Sequence, residues 1–399
     1  MRDRDAGAVV TGRLIASVGA LAVALVIAAG CGSSGPVASV NTAASPPAAV
    51  QDPTDTMCSG KIAVMAPYSG TGPSDSVRMN WARVALDTFN DEHGTGFQVE
   101  PVDVLDDVAD GVRGAKRIIG DAEVVGMVGP QTSVVTAAVG PLLDRAEMAY
   151  VTPSATRTDL ADGRLTGFYR VVANDSVQGP AIARFVMGNL KATKVAMVDN
   201  PEPYSRGLAD SVAAEFKREG VPVTRVAVPV RQKNYASTIA RIPRDTEVVV
   251  LAMLLPSDAQ LLTRQLDAAG LTPRLIGGDS LFYPDGFTKV GAYVTSYAPD
   301  LRKTKEGASI IRLYEAIFGD FSTSGGPAYT AMEVVATAAL ETCKDGRATR
   351  AGVWKAVPEV ELETSILGQP VAFDSNNELK GGRFYMYRIE PNGGYSPVD

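Results

Sequence analysis

Residues 123–156 read EVVGMVGPQTSVVTAAVGPLLDRAEMAYVTPSAT. EVVGMVGP is a short apolar run of the kind a strand buried on both faces requires, and MAYVTP is a second. SVVTAAVGPLLDRA between them reads as a helix. Strand, helix and strand in this order predict a parallel pair, because parallel neighbours need a crossover connection. The second strand ends at a proline set among three hydroxyls, Thr152, Ser154 and Thr156. Small hydrogen-bonding residues are an unexpected end for a buried strand, and that end is the first candidate site.

The alternation extends in both directions. KIAVMAP reads as a strand, and the segment around MNWARVALDTFNDE as a helix with Trp81, Val84, Ala85 and Phe89 at helical spacing. FQVEPVDVLDD is the next strand and GVRGAKRIIGD the next helix. Beyond residue 156 the pattern begins again. ATKVAMVDN, VPVTRVAVPV, TEVVVLAML and RLIGGD are strands, while SRGLADSVAAEFKREG and SDAQLLTRQLDAAG are helices. Two successive α/β halves with parallel sheets are expected. The end differs: GPAYTAMEVVATAALETC reads as a long helix, and VAFDSNNELKGGRFYMYRIEPNGGY as a β-hairpin with an Asn-rich turn.

With 399 residues, 45% hydrophobic and 21% charged, the chain has room for two globular domains. Its net charge is −7, and no segment gathers lysines and arginines, so nucleic acid is not an expected partner. Residues 1–30 have the layout of a signal peptide: Arg2, Arg4 and Arg13 precede the apolar run LIASVGALAVALVIAAG. A transmembrane anchor is the alternative, but the run is shorter than the ~20 residues a spanning helix prefers. Ala28-Ala29-Gly30-Cys31 resembles a bacterial lipobox, which implies acylation of Cys31 by chains such as palmitate. Residues 31–57, rich in Gly, Ser, Pro and Ala, would then be a flexible tether on a lipid anchor. Cys58 and Cys343 remain as an even pair in an oxidising compartment and are a candidate disulfide.

Signatures of catalysis are missing. The sequence contains no G-x-G-x-x-G, no G-x-x-x-x-G-K-[ST] and no G-x-S-x-G. His93 is the only histidine, and with no C-x-x-C a zinc site is not expected. These observations favour binding over catalysis, with neither metal nor cofactor.

In parallel α/β sheets, ligands sit outside the carboxyl ends of the strands. After EVVGMVG come Gln131, Thr132 and Ser133, where Ser133 is placed to cap the next helix and its free N–H groups suit an anion. After MAYV come Ser154, Ala155 and Thr156. Each segment has a plainer reading, a helix cap or a turn. Together, with no lysine or arginine among their own residues, they suit a carboxylate held by neutral donors. Asp279 follows the strand RLIGG, so it too lies at a carboxyl end, although an Asp beside glycines is often a turn residue.

The segments GPQTSVVTAAVGPLLDRAEMAYVTPSAT, YRVVANDSVQGPAIA, DNPEPYSRGLADSVAAEFKREG and LLTRQLDAAGLTPRLIGGD resemble the branched-chain amino-acid (Leu/Ile/Val-type) binding proteins of ABC importers. The resemblance covers the chain from Lys61 to the terminal hairpin. It implies the type I periplasmic binding protein fold: two Rossmann-like lobes joined by a three-segment hinge. The first lobe would comprise residues 58–173 and 297–372, and the second 174–296 and 373–399, with crossings near 172–174, 295–298 and 371–373.

The resemblance also implies the site. Ser133 and the loop of Ser154, Ala155 and Thr156 would hold the ligand's α-carboxylate, Asp279 its ammonium, and Tyr204 would close over it. Three positions depart from the family pattern. Asp279 stands where Glu is usual, a common tyrosine falls at Leu254 or Leu255, and the loop at 70–76 carries no aromatic. The function expected is therefore that of an extracytoplasmic, lipid-anchored, monomeric solute-binding protein. It would capture an amino acid or similar small zwitterion and deliver it to an ABC permease. A sensor of the same fold, coupled to a membrane receptor or kinase, is the alternative.

Overall fold

The computed structural model of the chain describes residues 57–69, 76–104, 107–284 and 286–398. The expected signal peptide, Cys31, nearly all of the tether and most of the loop at 70–76 lie outside the described residues.

Strands β1 (Ser59–Ala66), β2 (Gly96–Asp103), β3 (Val124–Val128), β4 (Tyr150–Thr152) and β5 (Phe168–Arg170) form one sheet. Its order is β2-β1-β3-β4-β5, and every neighbouring pair is parallel. Strands β6 (Val195–Asp199), β7 (Val223–Ala227), β8 (Val248–Ala252), β9 (Arg274–Gly277) and β10 (Tyr293–Ser296) repeat this pattern. In the second sheet the order β7-β6-β8-β9-β10 is parallel and is extended by β11 (Tyr385–Ile389) and β12 (Tyr395–Val398), both antiparallel.

Helices α1 (Val77–His93), α2 (Val108–Gly120) and α3 (Ser133–Arg145) connect the first sheet. Helices α4 (Asp175–Gly188), α5 (Pro203–Arg218), α6 (Ala236–Ile239) and α7 (Pro256–Ala268) belong to the second half, and α8 (Gly307–Phe318), α9 (Gly326–Glu341) and α10 (Arg350–Ala356) follow it.

Side chains alternate across each strand, and the two cores of each sheet follow from that period of two. Ile62 and Val64 pack with Trp81 and Val84 of α1 and Val335 of α9. Ala63 and Met65 face the other way, toward Ile118 of α2 and Val135 of α3. In β8, Val249 and Leu251 meet Leu262 of α7, whereas Val248 and Val250 meet Val186 of α4 and Leu208 of α5. Each such Val, Ile, Leu or Met side chain contributes about 1.5–3 kcal/mol relative to exposure. Buried on both faces, these strands must read as continuous apolar runs, and that made them visible in the sequence. Helix α9 lies so close on β3 that a Cβ at Gly126 would meet Cγ1 of Val335 at 2.9 Å.

The C-terminal segment differs from expectation. The hairpin is β11 and β12, turned through residues 390–394, where Glu390 N–H bonds to the Gly394 carbonyl at 2.9 Å. The Asn-rich stretch makes a separate tight turn, in which Asn377 takes a positive φ of 63° and its N–H bonds to the Asp374 carbonyl at 3.0 Å. Phe373 and Leu379 pack in the core of the first sheet, so the chain joins the second sheet only at Tyr385, later than the boundary at 373. Cys58 and Cys343 are joined as a disulfide, their Cα atoms 6.1 Å apart, which ties the start of β1 to the chain just beyond α9. His93 ends α1 on the surface, its ring 4.2 Å from that of Phe89. Among the described residues, no helix is long and apolar enough to cross a membrane, and no group of His, Cys, Asp and Glu could hold a metal ion.

Candidate functional site

The register of β3 with β4 aligns Val128 with Val151, so the residues after both strands emerge side by side. A cavity of about 250 Å³ lies there, lined from the first sheet by Gln131, Ser133 and Ser154 and from the second by Tyr204, Leu254 and Asp279. That volume is several times the ~30 Å³ share of one liquid water. Four of the six residues expected at the site line it; Ala155 and Thr156 do not.

The acidic side is built around Asp279, in the turn after β9. Its Oδ1 accepts from Gln178 Nε2 at 2.8 Å and from the Tyr204 hydroxyl at 2.8 Å. Gln178 is fixed in turn by a 2.7 Å bond to Thr295 Oγ1. Burial raises the Asp279 carboxyl above the ordinary carboxylate range, opposed by the Tyr204 and Gln178 hydrogen bonds and by the charge of Arg78. Burial, with Asp279 and Asp175 nearby, pushes Tyr204 well above the usual tyrosine range, so it stays a neutral donor. Tyr204 is 6% exposed. It lines the cavity, yet its hydroxyl is engaged in orienting Asp279 rather than standing open above a ligand.

On the opposite side the loop after β4 is organised by one hydroxyl. Thr152 Oγ1 donates to the Pro130 carbonyl at 2.6 Å and accepts from the N–H groups of Ser154 at 3.3 Å and Ala155 at 3.0 Å. Ser154 Oγ donates to the Gln131 carbonyl at 2.7 Å. Hydroxyls end this strand because they close its turn onto the neighbouring strand end. The donors expected for a carboxylate are thereby largely consumed. The Ala155 N–H is used, and Thr156 is fully buried with its hydroxyl toward Asp175. Ser133 is not the cap of α3: Thr132 is, and Ser133 is the first helical residue. Its Oγ accepts from the Arg157 N–H at 3.3 Å, which leaves its proton available to the cavity.

Arg78 is the residue that the sequence reading missed. It sits in the first turn of α1, lines the cavity, and donates from Nη2 to the Tyr297 hydroxyl at 2.8 Å. Its Nε is buried without a hydrogen-bond partner. Tyr297, just past β10, also lines the cavity. Arg78 is separated from β1 by a loop and looked like an ordinary helix-surface cation. Only the position of β1 beside β3 brings the start of α1 to the site.

Much of the remaining wall is apolar, with Val134, Leu254, Leu255, Pro256 and Phe282 lining it, while Thr132, Ser280 and Glu202 add polar groups. The Glu202 carboxylate is taken up capping α5, accepting from the Tyr204 and Ser205 N–H groups. Beneath the site, at the start of α4, Asp175 is 1% exposed; the Thr156 hydroxyl faces its carboxyl, but neither carboxyl oxygen is in a well-aligned hydrogen bond. Burial first, and then the charge of Asp279, raise it well above the ordinary range and favour its protonated form.

Two parallel α/β units with a small cavity of both charge signs at their strand ends define a solute-binding protein. The chain belongs to the periplasmic binding protein family, whose model matches residues 59–394. It is 27% identical over 339 residues to a Leu/Ile/Val-binding protein, BraC3, of Rhizobium johnstonii, covering 82% of this chain and 91% of that one. It is 24% identical over 347 residues to an amino acid binding protein of Pseudomonas aeruginosa, covering 84% and 91%. The solved structure of a leucine binding protein from Thermotoga maritima superimposes with a TM-score of 0.75 at 19% identity, covering 85% of this chain and 98% of that one. The fold is the type I fold expected from the sequence.

Proposed function

We propose that the protein is an extracytoplasmic solute-binding lipoprotein that captures an amino acid or similar small zwitterion and delivers it to an ABC permease. Several relatives are Leu/Ile/Val- or amino acid-binding proteins, and the reading is consistent with theirs. The observation that carries it is the pairing of Asp279 and Ser133 on one cavity, the first from the second sheet and the second from the first. Asp279 holds the ammonium and Ser133 the carboxylate. Ser154, Ala155 and Thr156 act by shaping the loop, and Tyr204 by aiming Asp279. The two lobes close on the ligand about three crossing segments, and the closed form is what the permease recognises. Cys31 carries the lipid that keeps the protein at the membrane.

A thermal-shift screen over the amino acids and their amides tests this reading. A ligand present at a hundredfold excess over Kd stabilises the fold by about 2.7 kcal/mol. The absence of any shift with every zwitterion would count decisively against it.

A further inference from the structure

Resting on that reading, we propose that Arg78 is the anion-binding residue of the cleft. With Ser133 and Tyr297 it forms a cationic pole that takes the ligand's carboxylate, facing the anionic pole at Asp279.

Three observations carry this. The neutral donors near the carboxylate position are mostly spent: Ser154 donates to Gln131, and the Ala155 N–H is held by Thr152. The Ser133 hydroxyl keeps its proton, because its oxygen accepts from Arg157, but it and the first-turn N–H groups of α3 are neutral and carry no full charge to balance a carboxylate. Arg78 meanwhile has donors to spare. A guanidinium offers five N–H groups in a planar fork. Here one bond goes to the Tyr297 hydroxyl, Nε is buried unpartnered, and among the described residues no carboxylate forms an ion pair with it. A charge left unpaired in a partly dry cavity is costly, and a carboxylate entering beside Tyr297 relieves that cost.

The third observation is the opposite pole. Asp279 is hydrogen-bonded by neutral donors only, Gln178 and Tyr204, so its charge is likewise left for the ligand. Glu202 also lines the cavity, but its oxygens are engaged with the N–H groups of Tyr204 and Ser205 at the start of α5. The cation at Arg78 and the anion at Asp279 therefore match a zwitterion better than an uncharged amide or a simple amine. The chemical class follows: the ligand carries a carboxylate, bound through a charge-assisted fork rather than by hydroxyls alone.

The test is calorimetric titration of the purified full chain and its R78Q, R78K and D279N variants. The probes are leucine, glutamate, 4-methylpentanoate (a carboxylate without the amine) and isopentylamine (the amine without the carboxylate). The expected result is that R78Q weakens the binding of every carboxylate probe by roughly 30-fold or more, with R78K restoring only part of it. D279N should weaken only the probes that carry an amine. If leucine or glutamate binds the wild type and R78Q equally well, the inference is overturned while the amino-acid reading stands. If only 4-methylpentanoate binds, and does so through Arg78, the inference stands and the amino-acid reading falls. Should R78Q fail to fold, the wild-type panel still decides: isopentylamine binding as tightly as leucine, or no carboxylate binding at all, overturns the assignment.

Discussion

Tyr204 donates its hydroxyl hydrogen to Oδ1 of Asp279 across 2.8 Å, joining the first turn of α5 to the turn that follows β9. The bond runs between two groups of the same lobe. Tyr204 therefore sets the direction and the acidity of the carboxylate before any ligand arrives.

Replacing Tyr204 by Phe should weaken amine binding by about 1.5–3 kcal/mol, the cost of one hydrogen bond to a charged group. The pH profile should move as well. Burial already raises Asp279, and the Tyr204 bond holds it back. Without that bond the carboxyl protonates at higher pH, so affinity for an amine is lost earlier as pH falls. Titrations between pH 4.5 and 7.5 measure this. An unshifted midpoint would show that Tyr204 leaves Asp279 alone.

Asp175 should respond oppositely to an ion-paired carboxylate. Its carboxyl is raised well above the ordinary range, chiefly by burial and next by the charge of Asp279; the Thr156 hydroxyl facing it opposes the shift, although neither carboxyl oxygen is in a well-aligned hydrogen bond. The folded state holds a proton there that the unfolded chain releases above about pH 4. Stability from this group is thus complete below that pH and is lost as pH rises toward the folded value. Asp175→Asn, neutral at every pH and similar in shape, should match the wild type near pH 4 and exceed it near pH 8 in urea unfolding. A substitution that destabilises equally at both would mean that Asp175 is charged and paired in solution.

Much of this architecture is written in local pattern. Strands such as Val248–Ala252 are buried on both faces and therefore apolar throughout, and their ends mark where a ligand can sit. Asp279 and Ser133 stand at such ends, and both line the cavity. Arg78 does not, and a cation in the first turn of an exposed-looking helix carries no local sign that the sheet order will turn it inward. Thr156 illustrates the converse. Its hydroxyl belongs to the same loop as Ser154, yet it faces Asp175 beneath the site, and successive residues in a loop give no period from which to read direction. The C-terminal hairpin was misplaced for a related reason: Asn376 and Asn377 are strong turn formers, and they do form a turn, but not the one between the paired strands.

The disulfide closes a loop of sequence separation 285. Cys343→Ser should cost about 2–5 kcal/mol, mostly through the greater freedom of the unfolded chain. The affinity for ligand should stay the same, since neither cysteine lines the cavity. Urea unfolding compared with titration separates the two effects, and a parallel loss of affinity would contradict the assignment.

The last prediction concerns Arg170, which is fully buried at the end of β5. Its Nη2 donates to Glu378 Oε1 at 2.8 Å, and Nε lies 2.7 Å from Oε2 as a close charge contact without hydrogen-bond alignment, so one hydrogen bond and one ion contact hold the pair. Asn174 Nδ2 joins the same carboxylate at 2.9 Å. Glu378 thus ties the returning C-terminal segment to the chain just before α4. Arg170 also donates through Nη1 to the carbonyls of Ala155 at 2.8 Å and Arg157 at 3.1 Å, the latter being the residue whose N–H bonds to Ser133. Glu378→Gln leaves a buried guanidinium without its counter-charge, which costs about 3 kcal/mol or more. Replacing both members by apolar residues of similar volume should cost less than the single change, because no charge is then stranded. If the single variant loses less than about 1 kcal/mol, water reaches Arg170 and the pair is an exposed one. If it loses the full amount, ligand affinity should fall with it, since the loop that positions Ser133 is held from below by the same guanidinium.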